Sequence, residues 1–392
     1  MTTDTHPEPI LPPATIGILG GGQLGRMLGF AARAMGYRIV VLDPDPDCPA
    51  AAVADRVVVG AYDDAEAALD LADEADVVTY ELEHVGLDVV RAALERAPVR
   101  PGLEPLRVTQ DRLAERRFVE RAGIAVAPWR AVATTEALAA AAADLGTPLR
   151  VKALTGGYDG RGQVRVAGEA DIDAAIGRVG RPEGGPLLAE RELDFEAELS
   201  VIVARGLDGK PAILPPARNL HDAGILVESV TPADLPAGAL REATAIALNL
   251  AAAMDLVGTL TVELFLLRDG SLVVNELAPR VHNSGHWSIE GAATSQFEQH
   301  VRAICGLPLG ATNARGPTAI VNLLGTGSER EARLLGVDEA LAVPGTHLHL
   351  YDKRRVFERR KMGHVTALGA TPLEALDRAR AARSSLRWAE GP

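Results

Sequence analysis

The first hundred residues alternate short apolar runs with segments that have the apolar spacing of a helix. TIGILG, YRIVVLD, RVVVG and DVVTY are apolar runs of strand length, and a helical pattern follows each of them. Strands that alternate with helices are typical of a parallel sheet with crossover helices. Residues 14–105 therefore predict an N-terminal α/β domain.

Residues 106–310 have a different pattern, in which long apolar runs meet at tight turns. FEAELSVIVARG and PAILPPAR flank DGK, and TLTVELFLL and SLVVNELAP flank Asp269–Gly270, so each pair predicts a β-hairpin. Helices are predicted at about 110–122 and 236–254. Hairpins with intervening helices favour an α+β domain whose sheet is largely antiparallel.

The two ends of the chain complete the outline. Residues 311–392 predict the strands TAIVNLLG, THLHLYDK and KMGHVTALG and an amphipathic final helix, which together form a small β-rich domain. The polar, Pro-rich residues 1–13 indicate a disordered lead-in and not a signal peptide. The apolar stretch at about 245–267 contains Asp255 and Glu263, so we expect a buried helix running into a strand, not a membrane span.

Composition adds an expectation about partners. The 392 residues carry a formal net charge of −13, which disfavours binding to nucleic acid and to anionic membranes. Cations that bind an anionic ligand must therefore be gathered locally. The only cysteines in the sequence, Cys48 and Cys305, have no metal-binding spacing, so we expect buried core residues in a reducing cytoplasm.

A glycine-rich turn follows the first predicted strand. Gly20, Gly22 and Gly25 fit G-x-G-x-x-G between a strand and a helix, and Asp43 follows about 20 residues later. Glycines let the backbone approach an anion, and a helix N-terminus stabilises negative charge. From these residues alone, a dinucleotide, another phosphate monoester and a plain tight turn all remain open.

A second glycine-rich segment, TGGYDGRGQ (155–163), follows a strand that contains Lys152. A lysine within an apolar run is costly unless it has an anionic partner. Four glycines make a flexible flap whose amides can wrap phosphates, and Arg161 adds a forked donor. The pattern favours a phosphate-binding flap over a simple hairpin turn.

Two carboxylates lie on the second predicted hairpin. Counted back from its turn, Glu263 and Glu276 face each other across the strands, where two buried acids would repel. A divalent cation relieves that repulsion; Asn275 offers a further oxygen, and hard oxygen ligands suit Mg²⁺. The alternative is that one acid is exposed at the surface. The donors of APRVHNSGHW follow at once and suit an anionic intermediate.

Together these motifs resemble a known family. A glycine-rich flap after a strand lysine, followed by paired glutamates, is the order found in ATP-grasp ligases. GGGQLGRML, TGGYDGRGQ and above all NELAPRVHNSGHW resemble the N5-carboxyaminoimidazole ribonucleotide synthase family, from about residue 14 to at least 365. The resemblance implies an ATP-grasp fold with a Rossmann-like pre-ATP-grasp domain at 14–105, an ATP-grasp domain at 106–310 and a C-terminal domain at 311–392.

The resemblance also implies roles for individual residues. The metal ligands would be Glu263 and Glu276, and the residues around the carboxyl intermediate would be Tyr158, Arg161, Arg280, His282 and Asn283. The ATP site would comprise Arg112, Lys152, Gly157, Tyr158, Asp159, Gly160, Arg161, Gly162, Gln163, Glu190, Arg191, Glu192, Leu193, Glu198, His221, Asn275 and Glu276. The ribonucleotide site would comprise Gly22, Gln23, Leu24, Glu81, Glu83, Lys353 and Arg360.

The activity implied by the resemblance is carboxylation of 5-aminoimidazole ribonucleotide (AIR) by bicarbonate and ATP in purine synthesis. ADP and phosphate would be released through carboxyphosphate, with two Mg²⁺ ions as cofactors. The enzyme would be a cytoplasmic homodimer, functionally coupled to the mutase that takes its product.

Three other functions are weighed against this one. A nicotinamide oxidoreductase would explain the first glycine loop and Asp43, but it gives no role to Lys152, the flap or the acid pair. A sister ATP-grasp enzyme would use formate and a different ribonucleotide. A non-catalytic nucleotide-binding module is disfavoured because the acid pair and the donor-rich segment occur together.

Overall fold

The computed structural model describes residues 8–156, 162–179 and 185–390. Its N-terminal part is a parallel sheet in the strand order β3-β2-β1-β4, which confirms the predicted βα alternation. Apolar side chains of the strands are buried between helices on the two faces. The elements are β1 Thr15–Leu19, α1 Gln23–Ala34, β2 Arg38–Asp43, β3 Arg56–Val59, α2 Ala65–Asp73, β4 Val77–Tyr80 and α3 Leu87–Leu94.

The end of the predicted lead-in is held against the body of the protein. The Ile10 amide donates to the Cys305 carbonyl at 2.9 Å, and its carbonyl accepts from the Tyr37 hydroxyl at 2.7 Å. The prediction of disorder is therefore wrong for residues 8–13. Residues 1–7 lie outside the described residues. Cys48 and Cys305 are both buried free thiols, as expected.

The helix predicted at about 110–122 is present as α5 (Arg112–Arg121), and a further helix that was not predicted, α4 (Leu103–Gln110), precedes it. Asp111 separates them, because its backbone is extended and its carboxylate accepts from the amides of Leu113 and Ala114 as an N-cap. Because α5 begins at Arg112, Arg112 and Arg116 lie on one short helix.

A small antiparallel sheet in the order β5-β8-β6-β7 follows. Lys152 lies on β6 and Glu190 on the neighbouring strand β8, while β7 begins at Gln163 beyond the glycine-rich segment. Residues 157–161 of that segment lie outside the described residues. The elements are β5 Trp129–Val132, α6 Thr135–Leu145, β6 Leu149–Ala153, β7 Gln163–Val166, α7 Ile172–Val179 and β8 Leu187–Arg191.

A large antiparallel sheet forms the centre of the molecule, and both predicted hairpins are present in it. The predicted helix at 236–254 is also present and packs on this sheet. Elements up to residue 304 are β9 Phe195–Arg205, β10 Pro211–Ile213, β11 Ala217–Asp222, β12 Ile225–Thr231, α8 Ala237–Ala253, β13 Gly258–Leu267, β14 Leu272–Ala278, α9 Ser288–Gly291 and α10 Gln296–Ile304.

The same sheet continues through residues 311–392. Its order is β14-β13-β9-β11-β12-β15-β20-β18, with β10 paired to β9, so strands on both sides of residue 310 share one hydrogen-bonded ladder. The remaining elements are β15 Thr318–Leu324, β16 Arg330–Glu331, β17 Leu334–Leu335, α11 Val337–Leu341, β18 Thr346–Leu350, β19 Arg355–Val356, β20 Lys361–Leu368, α12 Pro372–Ser385 and β21 Arg387–Trp388.

The apolar stretch at 245–267 runs from α8 into β13, as expected. In the described part of the chain, no helix has both the length and the apolar character needed to cross a membrane.

Candidate active site

A cleft of about 1110 Å³ lies where the three sheets meet. It gathers most of the described residues that the sequence singled out, although they run from Gly22 to Asn283 along the chain. These are Gly22, Gln23, Leu24, Glu81, Glu83, Arg112, Lys152, Gln163, Glu190, Arg191, Glu192, Leu193, Glu198, His221, Glu263, Asn275, Glu276, Arg280, His282 and Asn283.

The two predicted metal ligands face each other as the turn position implied. Glu263 pairs directly with Glu276, and the register shifts just beyond them, which leaves Asn275 as the extra residue of a bulge. Burial and the neighbouring carboxylates of Glu276 and Glu198 raise the pKa of Glu263 to about 7, against the effect of His221. The Glu263 side chain is 17% exposed and that of Glu276 48%, so only Glu263 is largely buried.

A histidine and a glutamate extend this acidic wall. The His221 Nδ1 contacts Glu198 Oε2 on the neighbouring strand. Burial alone would lower the pKa of His221, but the hydrogen bond to Glu198 and the charge of Glu263 raise it. The pair predicted for the ATP site is therefore already joined in the free protein.

A buried ion network lies on the opposite wall. The Lys152 Nζ donates to Glu190 Oε2 at 2.6 Å, and Glu190 Oε1 accepts from Arg116 Nε at 2.7 Å. Burial favours protonation of Glu190, but Arg116 and Lys152 outweigh it and lower its pKa to about 2. Burial lowers the pKa of Lys152, and Glu190 opposes this shift. Glu190 is therefore the anionic partner that a lysine in this strand requires.

Arg280 joins the donor-rich segment to the N-terminal sheet. Its Nε lies 2.8 Å from Glu83 Oε1 and its terminal nitrogen donates to Glu83 Oε2 at 2.9 Å. The Arg280 and Glu83 side chains are only 15% and 20% exposed, so this is a largely buried ion pair and not a surface contact.

His282 and Asn283 follow Arg280 into the cleft. The His282 Nε2 lies 3.6 Å from Glu263 Oε1, and burial and the nearby cations Arg280 and Lys361 hold the pKa of His282 well below its usual value. Asn283 is 4% exposed, and neither its Oδ1 nor its Nδ2 has a hydrogen-bond partner among the described residues. A buried amide without partners is costly, so it points to a polar ligand in the cleft.

The first glycine loop has a different role from the one its motif suggests. The amides of Gly22 and Gly25 donate to Glu81 at 2.9 Å each, and the Gly21 amide donates to Asp43 at 2.8 Å. Acidic side chains of the protein thus occupy the donors that a dinucleotide pyrophosphate would need. This geometry disfavours the oxidoreductase reading, and it also means that the Gly22 amide does not face an open phosphate site.

The candidate phosphate ligands near the C-terminus are arranged unequally. The Lys353 Nζ donates to Gln23 Oε1 at 2.6 Å, which places it beside the glycine loop. Arg360 lies off the cleft lining, where it donates to the Arg355 carbonyl and stacks on Phe357. Its neighbour Lys361 lines the cleft instead.

The cleft wall also carries an aromatic pair that the sequence did not assign. Phe195 and Phe265 stack at 4.4 Å between ring centroids on the cleft wall, where flat apolar surface suits a base. The only sequence signal for this pair is the position of each ring on a predicted strand.

The predicted flap residues are only partly described. Gly162 is described but lies outside the cleft lining, whereas Gly157, Tyr158, Asp159, Gly160 and Arg161 lie outside the described residues.

Comparison with known proteins agrees with this geometry. Family models match over the whole body of the chain: a ribonucleotide synthetase preATP-grasp domain at 13–110, an ATP-grasp domain at 117–297 and a phosphoribosylaminoimidazole carboxylase C-terminal domain at 318–378. The chain is therefore an ATP-grasp enzyme, an ATP-dependent carbon–nitrogen ligase.

Relatives narrow the class. The N5-carboxyaminoimidazole ribonucleotide synthase of Bacillus subtilis (strain 168) is 42% identical over 91% of this chain and 92% of its own length. The Staphylococcus aureus synthetase structure complexed with ADP is 34% identical, with a TM-score of 0.88 over 96% of this chain and 99% of that one. The chain belongs to the N5-carboxyaminoimidazole ribonucleotide synthase family and is an ATP-dependent ligase of purine biosynthesis.

A third relative bears on the second substrate. The Aspergillus clavatus synthase in complex with ADP and 5-aminoimidazole ribonucleotide is 32% identical, with a TM-score of 0.85 over 95% of this chain and 98% of that one.

Proposed function

We propose that this protein carboxylates the amine of AIR with bicarbonate and ATP, and releases ADP and phosphate. The observation that carries the proposal is one cleft that combines the opposed carboxylates of Glu263 and Glu276, two cationic side chains and the Asn283 amide, which has no hydrogen-bond partner among the described residues. The Aspergillus clavatus complex with ADP and AIR supports the same pair of ligands.

ATP would occupy the side of the cleft between the small sheet and β13–β14. Lys152 and Arg112 would meet the phosphates, and the segment Glu190–Leu193 would hold the adenine beside Phe195 and Phe265. Glu198, held by His221, would accept from the ribose hydroxyls. The flap residues 157–163 would close over the phosphates and exclude water.

Glu263 and Glu276, with Asn275 beside them, would hold two Mg²⁺ ions. The residues fit this task, because the carboxylates of Glu263 and Glu276 lie on directly paired strand positions with the Asn275 amide beside them, and a divalent cation would relieve their repulsion. No group of three or more His, Cys, Asp or Glu side chains in the described residues forms a metal site. In this proposal the protein would supply two carboxylates, and ATP oxygens and water the rest. When bound, the metal neutralises charge on the transferring phosphoryl group.

AIR would occupy the side formed by the N-terminal sheet and the C-terminal strands. Gly22, Gln23 and Leu24 would contact the ribonucleotide, with Glu81 and Glu83 near the aminoimidazole. By resemblance Lys353 and Arg360 would supply positive charge to its phosphate, and Lys361, which lines the cleft where Arg360 does not, would add to it. Arg280, His282 and Asn283 lie between the two sides, together with Tyr158 and Arg161 of the flap by resemblance.

The reaction then follows from these positions. A bicarbonate oxygen forms a bond to the γ-phosphorus as the bond to the ADP oxygen breaks, which gives carboxyphosphate. Lys152 and Arg112 stabilise the charge on the transferring group. The AIR amine attacks the carboxyl carbon, phosphate leaves and the amine proton passes to the phosphate or to a nearby side chain. Arg280 and Asn283 would hold the intermediate by paired hydrogen bonds.

We also propose the setting in which the enzyme works. It would be a cytoplasmic homodimer, functionally coupled to the mutase that takes its product. Buried free Cys48 and Cys305 fit a reducing compartment. The Aquifex aeolicus relative is described as a phosphoribosylaminoimidazole carboxylase ATPase subunit, which supports a second component in the pathway.

Isotope incorporation tests this function. Purified protein with ATP, Mg²⁺, AIR and labelled bicarbonate should transfer label to the ribonucleotide, and labelled formate should give none. Incorporation from formate would instead support the sister ligase, and absence of incorporation from both would refute the proposed reaction.

A further inference from the structure

Arg116 is a fully buried arginine whose guanidinium contacts three elements. It lies on α5 and donates to Glu190 on β8 at 2.7 Å, to Glu115 at 2.6 Å and to the Asn275 carbonyl on β14 at 2.8 Å. The planar fork of arginine suits three acceptors in fixed directions better than an ammonium group does.

On one side the network ends at Lys152. Glu190 accepts from Arg116 with Oε1 and from Lys152 with Oε2, so a single carboxylate sets the distance between the two cations. A free lysine side chain would sample many rotamers, and this bond removes that freedom. The ammonium group of Lys152 is therefore held in one direction at the edge of the cleft.

On the other side the network forms hydrogen bonds to both peptide groups next to Glu276. The Asn275 carbonyl accepts from Arg116, and the Leu277 amide donates to Glu115 Oε2 at 2.8 Å. These backbone groups are available because β14 is the edge strand of the sheet and has β13 on one side only. Neither Arg116 nor Glu115 lines the cleft, so neither can touch a substrate there.

We propose that Arg116 is a positioning residue that holds Lys152 and Glu276 in fixed positions relative to each other. The Lys152 ammonium group, proposed to bind the ATP phosphates, and the Glu276 carboxylate, proposed to bind the metal, thereby keep a constant separation. Glu115 completes this arrangement. The inference rests on the proposed role of Lys152 and Glu276 at the ATP phosphates. It assigns the positioning of these two residues to Arg116 and Glu115, which have no ligand contact of their own.

The competing account is that the cluster serves only to hold the fold together. Buried ion networks are often replaceable without loss of stability, provided that no charge is left alone. A double variant, Glu115→Gln with Arg116→Gln, removes one charge of each sign and leaves the Lys152–Glu190 pair balanced. It should fold, while the geometry around Glu276 and Lys152 relaxes.

The experiment measures kcat, the apparent Mg²⁺ activation constant, the KM for AIR and the melting temperature. Outer-shell partners of metal ligands typically change affinity or activity by about 10–100-fold. We expect the double variant to lose about that factor in kcat and to need about tenfold more Mg²⁺, with the KM for AIR within about twofold of wild type. Arg116→Lys should recover part of the loss, because it keeps the charge and some of the donors.

Arg117→Gln is the matched control, because Arg117 is an exposed arginine on the same helix; it should behave as wild type. A folded double variant with wild-type kcat and Mg²⁺ constant would overturn the inference. If that variant does not fold, wild-type constants for Arg116→Lys would overturn it. A wild-type protein that does not carboxylate AIR would refute the proposed function itself, which is a separate outcome.

Discussion

Arg280 and Glu83 form a two-point ion pair, with nitrogen–oxygen distances of 2.8 and 2.9 Å, although 197 positions separate them in the chain. Glu83 follows the last strand of the N-terminal sheet, and Arg280 follows β14 of the central sheet. The pair therefore fixes the wall proposed for AIR against β14, the strand that carries the proposed metal ligand Glu276.

Replacing Arg280 by lysine should separate ATP cleavage from carboxylation. Lysine keeps the charge, but it has no planar fork to meet both oxygens of Glu83 or a bidentate anion. We expect ATP binding to persist and the ratio of carboxylated product to ADP to fall below one. Both products should be measured in the same reaction.

Arg268→Lys provides the control for that substitution. Arg268 pairs with Asp194 in a strongly exposed contact, which contributes little. This variant should keep the wild-type ratio. Equal amounts of ADP and product at the wild-type rate from Arg280→Lys would show that Arg280 is not part of the site.

Glu276→Gln should abolish turnover without unfolding the protein. The amide keeps the size of the side chain but removes the negative charge that the metal requires. Because the Glu276 side chain is 48% exposed and faces another carboxylate, its loss should cost little stability. Turnover across an Mg²⁺ titration and the melting temperature check this, and near-normal ATP hydrolysis would exclude Glu276 as a metal ligand.

Features set by local sequence were predictable in this protein. The opposition of Glu263 and Glu276 follows from counting back to the turn at Asp269–Gly270, and the structure confirms it. Asp111 as the N-cap of α5 also has a local signal, since aspartate is among the residues preferred at that position. The helix predicted at about 110–122 accordingly agrees with α5, which begins at Arg112.

Contacts between distant segments were not predictable in the same way. Arg116 meets Glu190 over 74 positions, and the Gly22 amide meets Glu81 over 59. Nothing in the local pattern shows that Glu81 will occupy the helix N-terminus that a phosphate could otherwise bind. The motif predicted the backbone turn correctly but left its anion open, because any carboxylate or phosphate satisfies the same amides.

Gly22→Val should weaken AIR binding and leave ATP binding nearly unchanged. A Cβ at this position would lie 2.6 Å from Glu81 Oε1, so the carboxylate must move away from the loop. We expect the KM for AIR to rise about tenfold, or by about 1.4 kcal/mol of binding free energy, while the KM for ATP changes less than about twofold.

Gly238→Val is the matched change for this test, because nothing lies within 4 Å of a Cβ there. It should leave both constants unchanged. A rise in the KM for ATP alone with Gly22→Val would show that the loop belongs to the ATP site and not to the AIR site.

His300 should make the protein sensitive to mild acid. It is buried between Thr79 of β4 and Thr259 of β13, and burial lowers its pKa from 6.5 to about 4. Between these values the unfolded chain binds a proton that the folded chain does not, so stability falls as pH decreases from about 6.5 towards 4. From pH 7 to 5 this one group contributes a loss of about 2 kcal/mol.

Urea unfolding of wild type and His300→Gln at pH 7 and pH 5 isolates that contribution. Because glutamine does not titrate, the variant should lose about 2 kcal/mol less on acidification. An equal loss in both proteins would mean that other groups control the acid response, for example His286, whose pKa burial lowers to about 3.

The central claim is that one cleft couples ATP cleavage to carboxylation of AIR, and initial rates of ADP release test it most directly. The rate should be measured with ATP and Mg²⁺ alone, with AIR or bicarbonate added singly, and with both. The account predicts full ADP release only with both present, and one carboxylated product for each ADP. ADP release at the same rate without AIR and bicarbonate, or no product in the complete mixture, would contradict it.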